Sequence, residues 1–425
     1  MTERHPAGKL AEAIADRLAS PDALPESTTS RPWWRQSLAH GAPGLALLHI
    51  ELAAHGLRSW QRAHAWLTYA ARAPLTTGPD SHLFYGAPAL AHALACAAAG
   101  KPGCYERALG ILDRTVAAHV RLRIKSAQAR IDAARLPALA EFDVVRGLTG
   151  LGSYLLRREP GGEELRAVLE YLVRLTKPIR SEGETLPGWW TRSGPDGRVN
   201  GRFPGGHSNS GVAHGISGPL SLLALSALKG VMVDGQREAI HRICAWFDRW
   251  RTDTESGALW PYWVNRHQLR AGHRRILGRQ RPSWCYGVAG LARAQQLAAL
   301  ATGDSGRRAM AENALVQALA DPGLRLVVGD SSLCHGFAGL ALVAIRVADD
   351  ACPQTAAQLY ALVPGLLDAV QPVGTNPAYT ADVMLSGTRH GSAFLEGAAG
   401  VALAVLAPST STLPRSVWDT CLLIA

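Results

Sequence analysis

Seven stretches of the chain are apolar on every side, and each begins with a glycine turn. The turn has the pattern G-x-x-G, with Ala89 replacing the second glycine in the second copy, and a nearly uncharged helix of small and aliphatic residues follows. Because a helix that is apolar all round must be buried on all sides, these stretches predict seven core helices. The copies begin at Gly41, Gly86, Gly147, Gly215, Gly287, Gly336 and Gly397.

A second kind of helix is predicted before each copy. Its apolar residues recur at helical spacing and its other positions are polar, which indicates one buried stripe and one solvated face. Alternation of the two kinds predicts an all-α fold, an α/α toroid of seven inner and seven outer helices, and one domain over residues 1–425. The outer segments are 9–19, 58–73, 105–119, 163–175, 236–251, 307–320 and 354–370.

The glycine turns are expected to meet at one mouth of the toroid, because the inner helices would be parallel. Helix N-termini make such a mouth favourable for thiolates and other anions. The turn-rich run 188–211 and the basic run 266–281 predict short β-strand and loop insertions over this mouth that admit a peptide. The alternating segment 120–126 predicts a short strand able to pair with a leader peptide. The residues directly before the first glycines are His40, Tyr85, Arg146, His214, Tyr286, His335 and Glu396.

Two consecutive copies carry a cysteine in the turn, Cys285 in WCYG and Cys334 in LCHG, the latter followed by His335. A cysteine in one turn alone is more often a small apolar residue. Two at equivalent positions of adjacent repeats, with a histidine, match the Cys2His set of catalytic zinc sites, which keep a fourth position open. The other five cysteines are assigned structural roles, and an odd number in a long chain favours a reducing cytoplasm over a disulfide framework. They are Cys96, Cys104, Cys244, Cys352 and Cys421.

Three motifs together resemble the lanthionine synthetase C-like (LanC) family: AHGISG at 213–218, SWCYGVAG at 283–290 and CHGFAG at 334–339. The resemblance covers nearly the whole chain. It implies an α/α toroid with one zinc ion held by Cys285, Cys334 and His335. It also implies a stand-alone lanthipeptide cyclase, since the chain is too short to include a dehydratase region. Such an enzyme adds peptide cysteines to dehydroalanine or dehydrobutyrine, which makes lanthionine or methyllanthionine rings.

The chemistry of that reaction agrees with the residues. A free thiol has a pKa of about 8.5 and is mostly protonated at neutral pH, whereas coordination to zinc deprotonates it. Attack on the β-carbon gives an enolate that needs a proton, and imidazole titrates in the right range. His214 is the candidate acid, and by resemblance it is the family's active-site histidine. The alternative is a histidine that caps its own helix.

Three further residues match family positions. Arg281 resembles an arginine proposed to bind the enolate or the substrate carbonyl, although Arg279 or a merely solvated basic run are alternatives. Asp143 matches an aspartate that could pair with His214 or with the arginine, and helix capping is its alternative. Tyr286 matches a family tyrosine, with an aromatic wall of the pocket as the equal alternative. His40 and Glu396 are assigned structural roles because repeats 1 and 7 are expected away from the zinc sector.

The chain carries a net charge of +10, with 44 lysines and arginines against 34 aspartates and glutamates. This favours an anionic partner, but the basic residues are scattered and no nucleic-acid module is found. Neither a signal peptide nor an apolar run of roughly 18 residues is present, so a cytoplasmic protein is expected, peripheral to a membrane-associated biosynthetic complex. The expected partners are a dehydrated precursor peptide (leader and core), a dehydratase and an exporter.

Two other functions stay open at this point. One is an enzyme that adds glutathione or another small thiol to dehydroamino acids, and the other is a zinc-containing peptide-binding module without turnover. His214 argues against the second, because a structural metal site does not need it. Toroidal glycosidases and terpenoid cyclases use paired carboxylates or acidic clusters at the mouth, and neither pattern is found.

Overall fold

The computed structural model describes residues 5–29, 31–199, 201–255, 257–273, 276, 278–387, 391–410 and 412–425. The helices in this part of the chain are α1 Pro6–Arg17, α2 Glu26–Thr29, α3 Pro32–Gln36, α4 Ala42–Ala54, α5 Trp60–Ala71, α6 Ala87–Gly100, α7 Glu106–Asp132, α8 Leu139–Phe142, α9 Leu148–Arg158, α10 Glu163–Leu175, α11 Ser217–Leu228, α12 Gln236–Trp250, α13 Arg266–Ala271, α14 Val288–Thr302, α15 Ser305–Ala320, α16 Leu324–Val327, α17 Phe337–Asp350, α18 Pro353–Val370, α19 Pro377–Gly387 and α20 Ala398–Thr410. The strands are β1 Ile179–Ser181, β2 Glu184–Leu186, β3 His207–Asn209, β4 Thr252–Thr254, β5 Gly257–Leu259 and β6 Trp263–Asn265. Among the described helices none is long and apolar enough to cross a membrane.

The chain forms two compact units. The first contains residues 1–116, 328–420 and 425, and the second contains residues 117–327 and 421–424. The boundary in sequence falls inside α7. The single domain expected over the whole chain stays a prediction.

The helices that follow the glycine turns form the core of each unit, as predicted. They are α4, α6, α9, α11, α14, α17 and α20, and their first turns are buried. In the first unit α17 packs on α20, α20 on α4, and α4 on α6. In the second unit α9 packs on α11, and α11 on α14. The outer helices are half-buried, and α10 shows why: its leucines and valines are buried while Glu163, Arg166 and Glu170 are not.

The second glycine of the turn allows the helix to pack directly on the loop before it. A Cβ atom on Gly290 would lie 2.0 Å from the carbonyl oxygen of Trp284, and one on Gly400 would lie 1.6 Å from that of Phe394. Both glycines follow these carbonyls at the same spacing. The G-x-x-G repeat is therefore explained by close packing of backbone on backbone.

Neighbouring turns are joined by main-chain hydrogen bonds. In the second unit the amide of Val144 donates to Ala213 O at 3.1 Å, and the amide of Val212 donates to Cys285 O at 3.0 Å. These bonds fix the spacing of three successive turns, and they place Asp143, His214 and Cys285 on a common frame. The first unit has equivalent bonds from Leu38 N to Phe84 O, Phe394 N to Ala39 O and Cys334 N to Leu395 O.

Short strands are present between copies 3 and 5, but of the two predicted insertions only 188–211 contains one, β3, while 266–281 begins with helix α13. The strands form three antiparallel pairs, β1 with β2, β3 with β6 and β4 with β5. The described part of the run 188–211 packs on the protein through Trp189, Trp190 and His207, which are buried.

The strand predicted at 120–126 is wrong, since these residues continue helix α7. Val120 and Ile124 lie one helical turn apart on a buried face, whereas Leu122 between them is 67% exposed. The apparent alternation was thus a helix face with one exposed leucine.

Candidate active site

A histidine–aspartate pair lies among the turns of the second unit. His214 Nδ1 is 2.7 Å from Asp143 Oδ2. The other carboxylate oxygen of Asp143 accepts hydrogen bonds from the amides of Arg146, at 2.6 Å, and Gly147, at 2.8 Å. Asp143 is buried, so its charge is compensated almost entirely by these contacts. It therefore both contacts His214 and holds the turn that precedes α9, one function for each oxygen.

The surroundings of His214 favour its protonated form. Burial disfavours the imidazolium, but the hydrogen bond and negative charge of Asp143, with a contribution from the Cys285 thiolate, outweigh burial and the nearby Arg146, and raise the pKa of His214. About one third of the side chain is exposed, at 35%. No described residue forms a hydrogen bond with Nε2. One ring nitrogen is thus held by Asp143, and the other is open to a ligand.

Tyr286 lies beside this pair and is held in place by Asn209. The side-chain nitrogen of Asn209 donates to the Tyr286 hydroxyl at 3.0 Å. The side-chain oxygen of Asn209 accepts from the main-chain amide of Gly211. The ring centroids of Tyr286 and His214 are 6.5 Å apart. A Cβ on Gly211 would lie 2.5 Å from Cys285 O and 2.9 Å from the Tyr286 ring, so glycine is needed there. Sequence reasoning missed Asn209, whose only signal is its place in the turn-forming run SNSG.

Two aromatic residues of the β3–β6 insertion complete this surface. The rings of Tyr262 and Trp263 lie 6.0 and 6.3 Å from the ring of Tyr286, edge to face. The Tyr262 hydroxyl donates to the carbonyl oxygen of Arg281 at 2.9 Å. Tyr286 is therefore part of an aromatic wall, and its hydroxyl also accepts a hydrogen bond from Asn209.

The two arginines considered from the sequence differ in their contacts. Arg279 forms an ion pair with Asp321 at 3.2 Å. The Arg281 guanidinium has no hydrogen bond or ion pair to any described residue, while its main chain is held by Tyr262. Arg281 is thus the one with its charge available to a ligand.

The basic run 266–281 is partly neutralised. Arg266 and Arg270 both pair with Glu184, which joins α13 to β2. Residues 274, 275 and 277, which contribute to the predicted peptide-admitting loop, lie outside the described part of the chain.

The proposed metal ligands are divided between the units. Cys285 is buried in the second, and Cys334 is buried next to His335 in the first. His335 Nδ1 lies 2.8 Å from Asp330 Oδ2 and 3.0 Å from Ser332 Oγ. Burial alone would raise the pKa of Asp330, but hydrogen bonds from His335 and Ser332 hold it well below its usual range.

These residues fit zinc by their chemistry. A metal-binding histidine ordinarily gives one ring nitrogen to a carboxylate and the other to the metal, and Asp330 contacts Nδ1 of His335 in this way. None of the seven cysteines, all within the described residues, forms a disulfide. No group of three or more His, Cys, Asp or Glu side chains is arranged as a metal site within the described residues, so zinc ligation stays a proposal.

Glu396 lies closer to this region than its assignment as structural implied. Its Oε1 atom is 3.4 Å from His335 Nε2. Copy 7 follows copy 6 directly in the first unit, so the residues before their two glycines are neighbours. The expectation that copy 7 lies away from His335 is therefore wrong.

Comparison with known proteins decides the family. A family model described as "Lanthionine synthetase C-like protein" matches residues 32–423. The chain belongs to the lanthionine synthetase C-like family. One curated relative is "Nisin biosynthesis protein NisC" of Lactococcus lactis subsp. lactis, 25% identical over 213 residues. That alignment spans 47% of each chain, so the chain matches about half the length of this relative.

A solved structure is similar to this lanthionine synthetase C-like chain over nearly its full length. The structure described as "Nisin cyclase" superposes with a TM-score of 0.73 and 21% identity, and the match covers 98% of this chain and 96% of that one. This shows the fold. The predicted α/α toroid is confirmed.

Proposed function

We propose that this protein is a lanthipeptide cyclase, which closes thioether rings in a dehydrated precursor peptide. Its family membership supports this, as does the name of its structural neighbour. The observation that carries the proposal is the His214–Asp143 pair, with one imidazole nitrogen open to a ligand and with Cys285 within electrostatic reach. Addition of a thiol to a dehydroamino acid needs a proton donor that reaches Cα, next to the carbon that the sulfur attacks.

The family resemblance assigns a zinc ion to Cys285, Cys334 and His335. Two buried thiols and an imidazole already oriented by Asp330 are a suitable donor set. A zinc ion held by these residues would lower the pKa of a substrate thiol bound to it and supply a nucleophilic thiolate at neutral pH.

The residues of the chain then have distinct roles in the addition. The peptide sulfur bonds to Cβ of the dehydroamino acid, and the electron pair of the Cα=Cβ bond moves to form an enolate. His214 holds a proton on Nε2 and gives it to Cα, while Asp143 holds the Nδ1 proton and stabilises the imidazolium. The thiol proton passes to solvent and the imidazole of His214 regains a proton from solvent, so the net reaction adds S–H across the double bond.

Two further residues act on the substrate in this account. The unpaired guanidinium of Arg281 binds the carbonyl oxygen that gains charge in the enolate. Tyr286 and the rings beside it form the wall against which the dehydroamino acid lies. Because the substrate contains dehydroamino acids, a dehydratase must act before this protein; this partner, an exporter and a cytoplasmic location remain predictions.

The test uses a dehydrated peptide that contains one cysteine and one dehydroalanine. The zinc-loaded protein should convert it to a product of unchanged mass that no longer reacts with a thiol-alkylating reagent, as read by mass spectrometry. A parallel reaction includes glutathione and a peptide without cysteine. If only this second peptide reacts, gaining the mass of glutathione, the protein uses an external thiol and the cyclase proposal is wrong. Binding without any product in either reaction would indicate a module without turnover.

A further inference from the structure

Helix α7 forms hydrogen bonds with the segment that contains Asp143. Asp143 lies between the short helix α8 and the first turn of α9. Arg123 of α7 donates from Nη1 to Arg146 O at 2.7 Å and from Nη2 to Ala140 O at 2.6 Å. These two carbonyls stand on either side of Asp143. One guanidinium therefore ties together the two ends of the segment 140–146.

A second arginine on the same face of α7 also binds this segment. Arg130 lies two helical turns after Arg123 and donates from Nη2 and Nε to the two carboxylate oxygens of Glu141, at 2.5 and 3.2 Å. The Tyr171 hydroxyl of α10 also donates to Glu141, at 2.8 Å. This cluster anchors α8 to its neighbours. Arg123 differs from it in holding main-chain atoms on both sides of Asp143 rather than a single side chain.

We propose that Arg123 is a positioning residue for the His214–Asp143 pair, an inference that rests on the proposed function of that pair. Arg123 touches neither member. By fixing the carbonyls of Ala140 and Arg146, it sets the path of the main chain between them. That path places one oxygen of Asp143 against the amides of Arg146 and Gly147, and the other against His214.

Arginine suits this position for geometric reasons. Its planar guanidinium presents several N–H donors in a fixed fork and spans two carbonyl oxygens at once, whereas a lysine ammonium is a single point on a flexible stem. The side chain is half-buried, so its donors are largely withdrawn from water. Burial lowers the pKa of Arg123, and the charge of Asp143 partly opposes this effect.

The charged groups around His214 determine what loss of Arg123 should do. Asp143 and Cys285 favour its imidazolium and Arg146 opposes it, while Tyr286 presents its ring. If Asp143 moves away from His214, the largest favourable contribution is lost and burial dominates. The pKa of His214 should then fall.

The experiment compares Arg123→Met with Arg121→Met in the zinc-loaded protein without peptide. Arg121 is exposed on the same helix and pairs only with Glu164 among the described residues, so it is the matched control. Hydrogen exchange at the amides of Arg146 and Gly147 should become about tenfold faster in Arg123→Met, because the carboxylate that accepts from them is less fixed. The NMR-monitored pKa of His214 should fall in the same variant. Arg121→Met should match the wild type in both.

Two further variants separate positioning from general stability. Arg123→Lys, which keeps the charge but can hold one carbonyl only, should lie between wild type and Arg123→Met, and it replaces Arg123→Met if that protein does not fold. Arg130→Met should lower the free energy of unfolding but leave the pKa of His214 unchanged. Wild-type exchange and a wild-type His214 pKa in Arg123→Met would overturn the inference. Since no measurement uses a peptide, the result does not depend on whether the protein proves to be a cyclase.

Discussion

One carboxylate, Asp143, holds both the imidazole of His214 and the start of helix α9. Its two oxygens have separate partners, His214 Nδ1 at 2.7 Å and the amides of residues 146 and 147. The hydrogen bonds to this turn thus fix the orientation from which the second oxygen reaches the histidine. The α8–α9 connection therefore holds in place the negative charge that stabilises protonated His214.

Asp143→Asn should lower the pKa of His214 and slow ring formation. The asparagine oxygen can still accept from the amides of Arg146 and Gly147, but the negative charge that stabilises the imidazolium is gone. The protonated acid is fully present below the pKa of His214 and is lost as pH rises through it, so the active range should contract toward lower pH. We expect a loss of roughly 10²–10⁴-fold in rate near neutral pH, the usual effect of disabling a general acid.

The measurement is an NMR titration of His214 together with the rate of thiol loss from a dehydrated peptide. Asp132→Asn is the control, since Asp132 is exposed and pairs with Arg174. An unchanged His214 pKa in Asp143→Asn would mean that the contact does not set the protonation of this histidine.

Zinc content should identify the metal ligands. We expect about one zinc per chain, and Ala at Cys285, Cys334 or His335 should each lower occupancy and abolish cyclisation. Asp330→Asn should weaken zinc binding by roughly 10–100-fold while it leaves a fraction of the activity, because Asp330 only orients His335. Cys352→Ala is the control, at an exposed cysteine. Metal analysis of the purified variants decides this, and full zinc in all three alanine variants would contradict the assignment.

The buried His49 should make the fold sensitive to acid. Burial lowers the pKa of His49 to about 4, against an ordinary value of 6.5. The folded state keeps this ring neutral while the unfolded state takes up a proton below pH 6.5. Stability is thus complete above pH 6.5 and is lost as pH falls toward 4, by roughly 3 kcal/mol for this group.

His49→Gln should therefore show a smaller decline in the free energy of unfolding between pH 7 and 5 than the wild type, measured by urea denaturation. His64→Gln, at an exposed histidine of the next helix, should keep the wild-type decline. Equal declines in wild type and His49→Gln would show that this ring does not cause the acid sensitivity.

The fold could be predicted from the sequence because its signal is local. A glycine turn followed by an all-apolar helix indicates burial without any knowledge of the neighbours, and seven copies indicate a repeat. Helix α7 was misjudged beyond residue 119, since Val120, Leu122 and Ile124 also fit a period of two. Only the packing shows that Leu122 is exposed.

The site could be predicted only where a residue type and its repeat position agree. Cys285, His214 and Tyr286 all lie directly in or before a glycine turn. Asn209 acts through a strand of an insertion, and Arg123 acts through main-chain carbonyls. Neither contact depends on a motif, so neither could be read from spacing.

The proposed chemistry depends most directly on His214 as the general acid. His214→Asn should retain its zinc and bind dehydrated peptide as the wild type does, because the three proposed ligands do not include this residue. The rate of ring formation, followed by mass spectrometry of thiol-alkylated products, should fall by roughly 10²–10⁴-fold. Chiral analysis of the product should show mixed stereochemistry at Cα, since water would then protonate the enolate from either face. A wild-type rate of ring formation in His214→Asn, or loss of its zinc, would contradict the account.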